Sequence, residues 1–292
     1  MPIHIVTDSA SDITPTIAAQ HGITVVPLTV DFGGETFRDG IDLDNQAFYE
    51  RLAHSNVLPK TSTPSVEAFR TAYEAAIKNG ATHIISAHLS GALSGTLNTA
   101  TLAANQLNED RASQHKERIP ITLLDSRTLS AGVGYPVLLA AEKAKGDIPP
   151  EDLAAFMQNI FDHAKLYFLL DTLEYLRKGG RIGAASAVVG TMLNIKPILA
   201  IRDGLIVPQE RVRTRTKALT RIGELVRDLG EIEYLALAYS DDGAAEDMLN
   251  AIQPVYSGYI EKFKLGAVIG THAGPHASGV FVKPKQATQA GG

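Results

Sequence analysis

The feature that most constrains this chain is a repeated alternation in its first half. Short β-rich runs, Ile3 to Val6, Ile23 to Val30, His83 to Ala87 and Ile119 to Leu124, are separated by segments long enough for crossover helices. Parallel strands need such crossovers, so the pattern predicts a parallel α/β sheet. Three of these runs end in polar loops: Val6 leads into Thr7-Asp8-Ser9-Ala10-Ser11-Asp12, Ile85 into Ser86-Ala87-His88-Leu89-Ser90-Gly91, and Leu124 into Asp125-Ser126. The carboxyl ends of parallel strands lie along one edge of the sheet, where ligands usually bind. Taken singly, each loop is more simply explained as a helix cap, because Ser and Asp accept the free N–H groups of a first turn.

Helix signals support the crossovers. Thr63 reads as an N-cap, Pro64 as a first helical position, Glu67 as a first-turn acid and Asn79-Gly80 as the end, with Val66, Phe69, Tyr73, Ala76 and Ile77 on one face. A second helix is expected from Gly95 to about Leu107, directly behind Ser94. Gly146-Asp147-Ile148-Pro149-Pro150-Glu151 breaks the pattern and starts a new helix. This divides the chain into a parallel-sheet α/β domain over 1–148 and an α+β domain over 149–282, with a flexible tail over 283–292. Strand candidates in the second part are Tyr167 to Leu170, Ile195 to Ile201, Leu205 to Val207, Glu233 to Tyr239 and Ala267 to Gly270.

Composition narrows the chemistry. Among 292 residues there is no cysteine, which excludes a disulfide framework, a thiol nucleophile and thiolate-held metals. The net charge is −5 and aromatics make up 6% with no tryptophan, which disfavours nucleic acid as a partner. The chain opens without a basic segment followed by an apolar stretch, and no apolar run reaches roughly 18 residues, so a cytoplasmic location is expected.

Two hydroxyl-rich loops precede helices, Thr61-Ser62-Thr63-Pro64-Ser65 and Ser90-Gly91-Ala92-Leu93-Ser94-Gly95-Thr96. Helix starts favour anions, and with only Lys60 beside these loops a singly charged carboxylate suits them better than a polyphosphate. Familiar catalytic spacings fail: Gly91-Ala92-Leu93-Ser94-Gly95 does not have the spacing of a nucleophile elbow, Gly132-Val133-Gly134 lacks a third glycine, and there is no Walker lysine loop. His272 and His276 have the spacing of helical metal ligands, but Gly274-Pro275 lies between them, and spacing alone favours a turn histidine with a local hydrogen bond. Residues 202 to 221 carry Arg202, Arg211, Arg213, Arg215, Lys217 and Arg221 against Asp203 and Glu210, a local balance of 6 − 2 = +4. Together with Arg177-Lys178-Gly179-Gly180-Arg181 this suits an acidic protein partner.

These segments, with Ile5-Val6-Thr7-Asp8-Ser9, Asp125-Ser126, Thr172 to Arg181, Leu193-Asn194-Ile195-Lys196-Pro197-Ile198 and Ile269 to Pro275, resemble the DegV family of bacterial fatty-acid-binding proteins along nearly the whole chain. The resemblance implies two α/β domains enclosing one long-chain fatty acid such as palmitate, stearate or oleate, with no cofactor, and delivery of that acid to the catalytic subunit of a fatty acid kinase. Carried over by position, Thr61 or Ser62 and Ser94 would hold the carboxylate, with Gly95 and Thr96 beside it and His272 near it. Arg177, Arg181, Arg202 and Arg213 become candidates for kinase docking, and transient membrane contact fits a lipid carrier. Leu97 and His276 stand where the family usually has an aromatic and a glycine.

The physics suits such a ligand. A sixteen-carbon chain buries about 14 methylenes, worth ~11 kcal/mol before association costs. Charge-assisted hydrogen bonds of about 1.5–3 kcal/mol each offset much of the carboxylate's desolvation. The competing reading is an enzyme, a serine-dependent acyl hydrolase with Ser94 as nucleophile and His88 or His272 as base.

Overall fold

The computed structural model describes residues 2–187 and 195–286. The first half runs β1 (Ile3–Asp8), α1 (Pro15–His21), β2 (Ile23–Val26), β3 (Thr29–Phe32), β4 (Glu35–Arg38), α2 (Asn45–His54), β5 (Lys60–Ser62), α3 (Val66–Lys78), β6 (His83–His88), α4 (Thr96–Ser113) and β7 (Ile121–Asp125). It continues with α5 (Ala131–Lys143), α6 (Pro150–His163), β8 (Lys165–Leu169), α7 (Glu174–Lys178), β9 (Lys196–Arg202), β10 (Leu205–Val212) and α8 (Arg215–Arg227). Last come β11 (Ile232–Tyr239), α9 (Asp242–Ile252), β12 (Glu261–Lys264), α10 (Ala267–Ala273) and β13 (Ser278–Pro284).

Strands β2-β1-β6-β7 form the expected parallel sheet. Six strands in the order β10-β9-β8-β13-β11-β12 form a second sheet, antiparallel except for the β11–β12 pair. Side chains alternate faithfully between faces. In the first sheet Val6 and Ile84 face α3 and α4, while Ile5 and Ile85 belong to the core shared with α5 and α6. In the second, Leu235, Leu237, Val280 and Val282 face α8 and α9, while Ala236, Ala238 and Phe281 face back toward α5 and α6. Helices α5 and α6 are therefore sandwiched between two sheets, and a single core crosses from one half of the chain to the other.

The third sheet, β4-β3-β5, is small and antiparallel and was not expected. Its origin corrects one strand: the run Ile23 to Val30 is broken at Pro27, which lacks an N–H, so β2 and β3 lie in different sheets. Thr63 and Pro64 do not start the next helix; Ser65 is the cap, accepting from the Ala68 N–H at 3.1 Å. The strand expected at Ala267 to Gly270 is α10, a short buried apolar run whose first turn is held by two aspartic side chains. Asp12 accepts from the Gly266 N–H at 2.8 Å and Asp39 from the Ala267 N–H at 2.9 Å. Finally, β13 extends past residue 282: Lys283 is buried and pairs with Glu233 at 3.2 Å, so the tail begins later than its composition suggests. Residues 287–292, and the Leu193-Asn194 pair of the quoted motif, lie outside the described residues.

Candidate functional site

Between the two halves lies a cavity of about 90 Å³, partly continuous with solvent. Its walls are mostly aliphatic. The inner face of β8 and the residue after it contribute Leu166, Phe168 and Leu170, one side of a strand, while Tyr167 and Leu169 point to the opposite core. The described polar side chains on the wall are Thr61, Ser94, Ser130, Arg181, His272 and Ser278.

Four of these are linked by contacts among their segments. Thr61 sits in the middle of β5 opposite Val30, so it shares the inward face, whereas its neighbours Lys60 and Ser62 are exposed. Its hydroxyl lies 2.9 Å from His272 Nε2 on α10. Ser94 Oγ contacts Thr96 Oγ1 at 2.9 Å and accepts from the Thr96 N–H at 3.3 Å. Arg181 donates from Nε to the Leu93 carbonyl at 3.3 Å and from Nη1 to the Gly179 carbonyl at 2.8 Å. Gly180 has φ +72°, which lets the chain reverse and return Arg181 to the cavity. Gly179 packs directly on the imidazole of His272, where a side chain would clash with Nδ1. Burial and the nearby Arg181 charge push the His272 imidazole down to about 4, so it is neutral at physiological pH.

Of the residues singled out on sequence, Thr61, Ser94 and His272 line the cavity and Ser62, Gly95 and Thr96 do not. Gly95 caps α4 without a side-chain bond, and Thr96 is fully buried behind Ser94. Of the four arginines given as kinase-docking candidates, Arg181 lines the cavity, and Arg177, Arg202 and Arg213 are exposed. Sequence reasoning missed the aliphatic walls, whose signal is only the alternation of Leu166, Phe168 and Leu170. His276 is not paired with His272 but with Asp241, at 3.1 Å, and no metal-binding group of three or more His or acidic residues exists among the described residues.

The loops at the strand ends serve as caps and braces. Asp8 Oδ1 accepts from the Ala10 N–H at 3.0 Å, and Oδ2 accepts from the Leu89 N–H at 3.1 Å. Asp8, His88 and Ser86 form a Ser-His-Asp relay, with Nδ1 to Oδ2 2.9 Å and Nε2 to Oγ 2.7 Å. All three are fully buried, Ser86 is bonded on to Tyr73 at 2.9 Å, and none lines the cavity, so the relay braces the sheet edge.

Known proteins share this chain's sequence pattern and fold. The family model described as "Uncharacterised protein, DegV family" matches residues 2–285. A DegV domain-containing protein of Deinococcus radiodurans is 36% identical over 98% of this chain and 100% of its own length. Among solved structures, "Fatty Acid Binding of a DegV family Protein from Thermus thermophilus" superposes with TM-score 0.87 at 32% identity, covering 98% of this chain and 100% of that one. The crystal structure of DegV from Bacillus subtilis, described as a fatty acid binding protein, gives TM-score 0.82 at 34% identity over 97% and 99% of the two chains. The chain thus belongs to the DegV family.

Proposed function

We propose that this protein holds one long-chain fatty acid with its acyl chain along the aliphatic cavity and its carboxylate at the Thr61, Ser94, Arg181 and His272 end. The observation that carries this reading is the cavity itself: apolar walls with hydroxyls, a guanidinium and a neutral imidazole gathered from distant segments. With its proton on Nε2, His272 donates to Thr61, leaving the Thr61 hydroxyl free to donate to the carboxylate. Arg181 adds the cationic partner that the hydroxyl loops lack. Among the described residues Ser94 has Thr96 as its hydroxyl partner and no histidine, which favours a carrier over a serine hydrolase.

In this reading the protein is a carrier working in the cytoplasm, with transient membrane contact, and it presents the acid to the catalytic subunit of a fatty acid kinase. The exposed Arg177, Arg202 and Arg213 then form the docking face, and residues 1–148 and 149–282 act as the two bodies that close over the ligand.

Native mass spectrometry of freshly purified protein tests the reading. The expected result is an added mass equal to a fatty acid. Bare chain mass together with no uptake of added palmitate or oleate overturns it. Thr61→Ala combined with Ser94→Ala should weaken acid binding about tenfold or more while leaving the unfolding temperature within a few degrees.

A further inference from the structure

Ser90 is fully buried and does not line the cavity, yet it is bonded through every polar atom it has. Its N–H donates to the Thr128 carbonyl at 2.8 Å, and its carbonyl accepts from the Leu93 and Ser94 N–H groups at 3.0 and 3.1 Å. Its hydroxyl accepts from the Ala92 N–H at 3.2 Å and donates to the Gly204 carbonyl at 2.8 Å. The last bond reaches across 114 positions of chain into the other half of the molecule.

Gly204 lies in the two-residue turn between β9 and β10. Asp203 and Gly204 have φ +50° and +78°, the pair of positive values that a tight hairpin requires. A Cβ on Gly204 would collide with Ser90 Oγ, so the turn is seated as close as backbone allows. Two positions on, Ile206 lines the cavity.

We propose that Ser90 is a positioning residue: it clasps the turn of the β9–β10 hairpin and thereby sets the loop that carries Ser94. The inference rests on the fatty-acid reading above and deepens it by naming what aims the head-group hydroxyl. The loop is also braced by Asp8 at Leu89, by Asp125, which accepts from the Gly91 N–H at 3.2 Å, and by Arg181 at Leu93; with the clasp lost, Ala92 keeps none of these bonds and Arg181 alone of the three reaches the loop from the second half of the molecule.

The test compares hexadecanoic acid with 1-hexadecanol, which share a tail and differ at the head. Ser90→Ala and Gly204→Ala attack the clasp from opposite sides. Each should weaken the acid about tenfold and the alcohol less than about threefold, a loss of head-group discrimination that a merely loosened cavity does not produce. Equal losses for acid and alcohol overturn the proposal. Amide hydrogen exchange of unliganded protein supplies a readout independent of lipid. Faster exchange at Ala92, Leu93 and Ser94 in Gly204→Ala supports the clasp even where the parent binds no acid, an outcome that refutes only the fatty-acid reading; unchanged exchange refutes the clasp.

Discussion

Asp12 and His272 are ionisable groups that the fold holds neutral by opposite shifts. Burial drives the Asp12 carboxyl up to about 8, against hydrogen bonds from Ser130 and the Gly266 N–H that favour its charged form. The folded protein therefore keeps a proton there that the unfolded chain releases near pH 4, and stability falls as pH rises from about 4 to 8. Asp12→Asn removes that dependence, and asparagine tolerates the left-handed backbone at this position, φ +57°. The variant should gain roughly 4 kcal/mol on the parent between pH 5 and pH 8.5, read from denaturant midpoints; a uniform difference at both values contradicts this. For His272 the sign reverses: its folded value near 4 lies below the ordinary 6.5, so its contribution is present above 6.5 and is lost as pH falls toward 4. Thr61 and Ser62 show how local the limits of sequence reading are. Both are hydroxyls in one loop, and only pairing of Thr61 with Val30 in β3 decides which of them faces inward.

At the scale of elements, α10 and the inner face of the second sheet shape the cavity. Helix α10 carries Val268, Ile269, His272 and Ala273 on the cavity wall and packs on α2 through Gly270. A Cβ there would lie 2.5 Å from Phe48 and 2.8 Å from the Tyr49 hydroxyl. Gly270→Ala should cost about 1–3 kcal/mol in chemical denaturation and weaken acid binding, since His272 shifts with the helix. On β11, Ala238 is buried and lines the cavity. Ala238→Leu adds bulk to open space, so the unliganded protein should keep or gain unfolding temperature while affinity for octadecanoic acid falls more than affinity for dodecanoic acid. Equal losses for the two acids in a titration series would argue against an elongated site. The helix start at Ser65 and the break at Pro27 are hidden in the local sequence, because Thr63-Pro64 imitates a cap and a run of apolar residues conceals a change of sheet.

For the whole molecule, a cavity wedged between the two halves makes ligand and stability inseparable. Removing bound lipid should lower the unfolding temperature by several degrees, since ligand at a hundredfold excess over its dissociation constant adds about 2.7 kcal/mol, and adding back palmitate should restore it. Calorimetry of delipidated and reloaded protein checks this. The sequence by itself determined the parallel sheet, its crossover helices, the α+β character of the second half and the hydroxyl-rich loops, because hydrophobic period, caps and turn residues act within a few positions of each other. It also carried the family motifs. It did not determine that β13 sits in the middle of the second sheet, since a strand buried on both faces shows no alternation of polarity. Nor did it aim Arg181: that direction depends on the Gly179-Gly180 reversal and on a carbonyl at Leu93, 88 positions away. Contacts between segments so far apart are chosen by how whole layers pack, and packing is a property that no local stretch of chain contains.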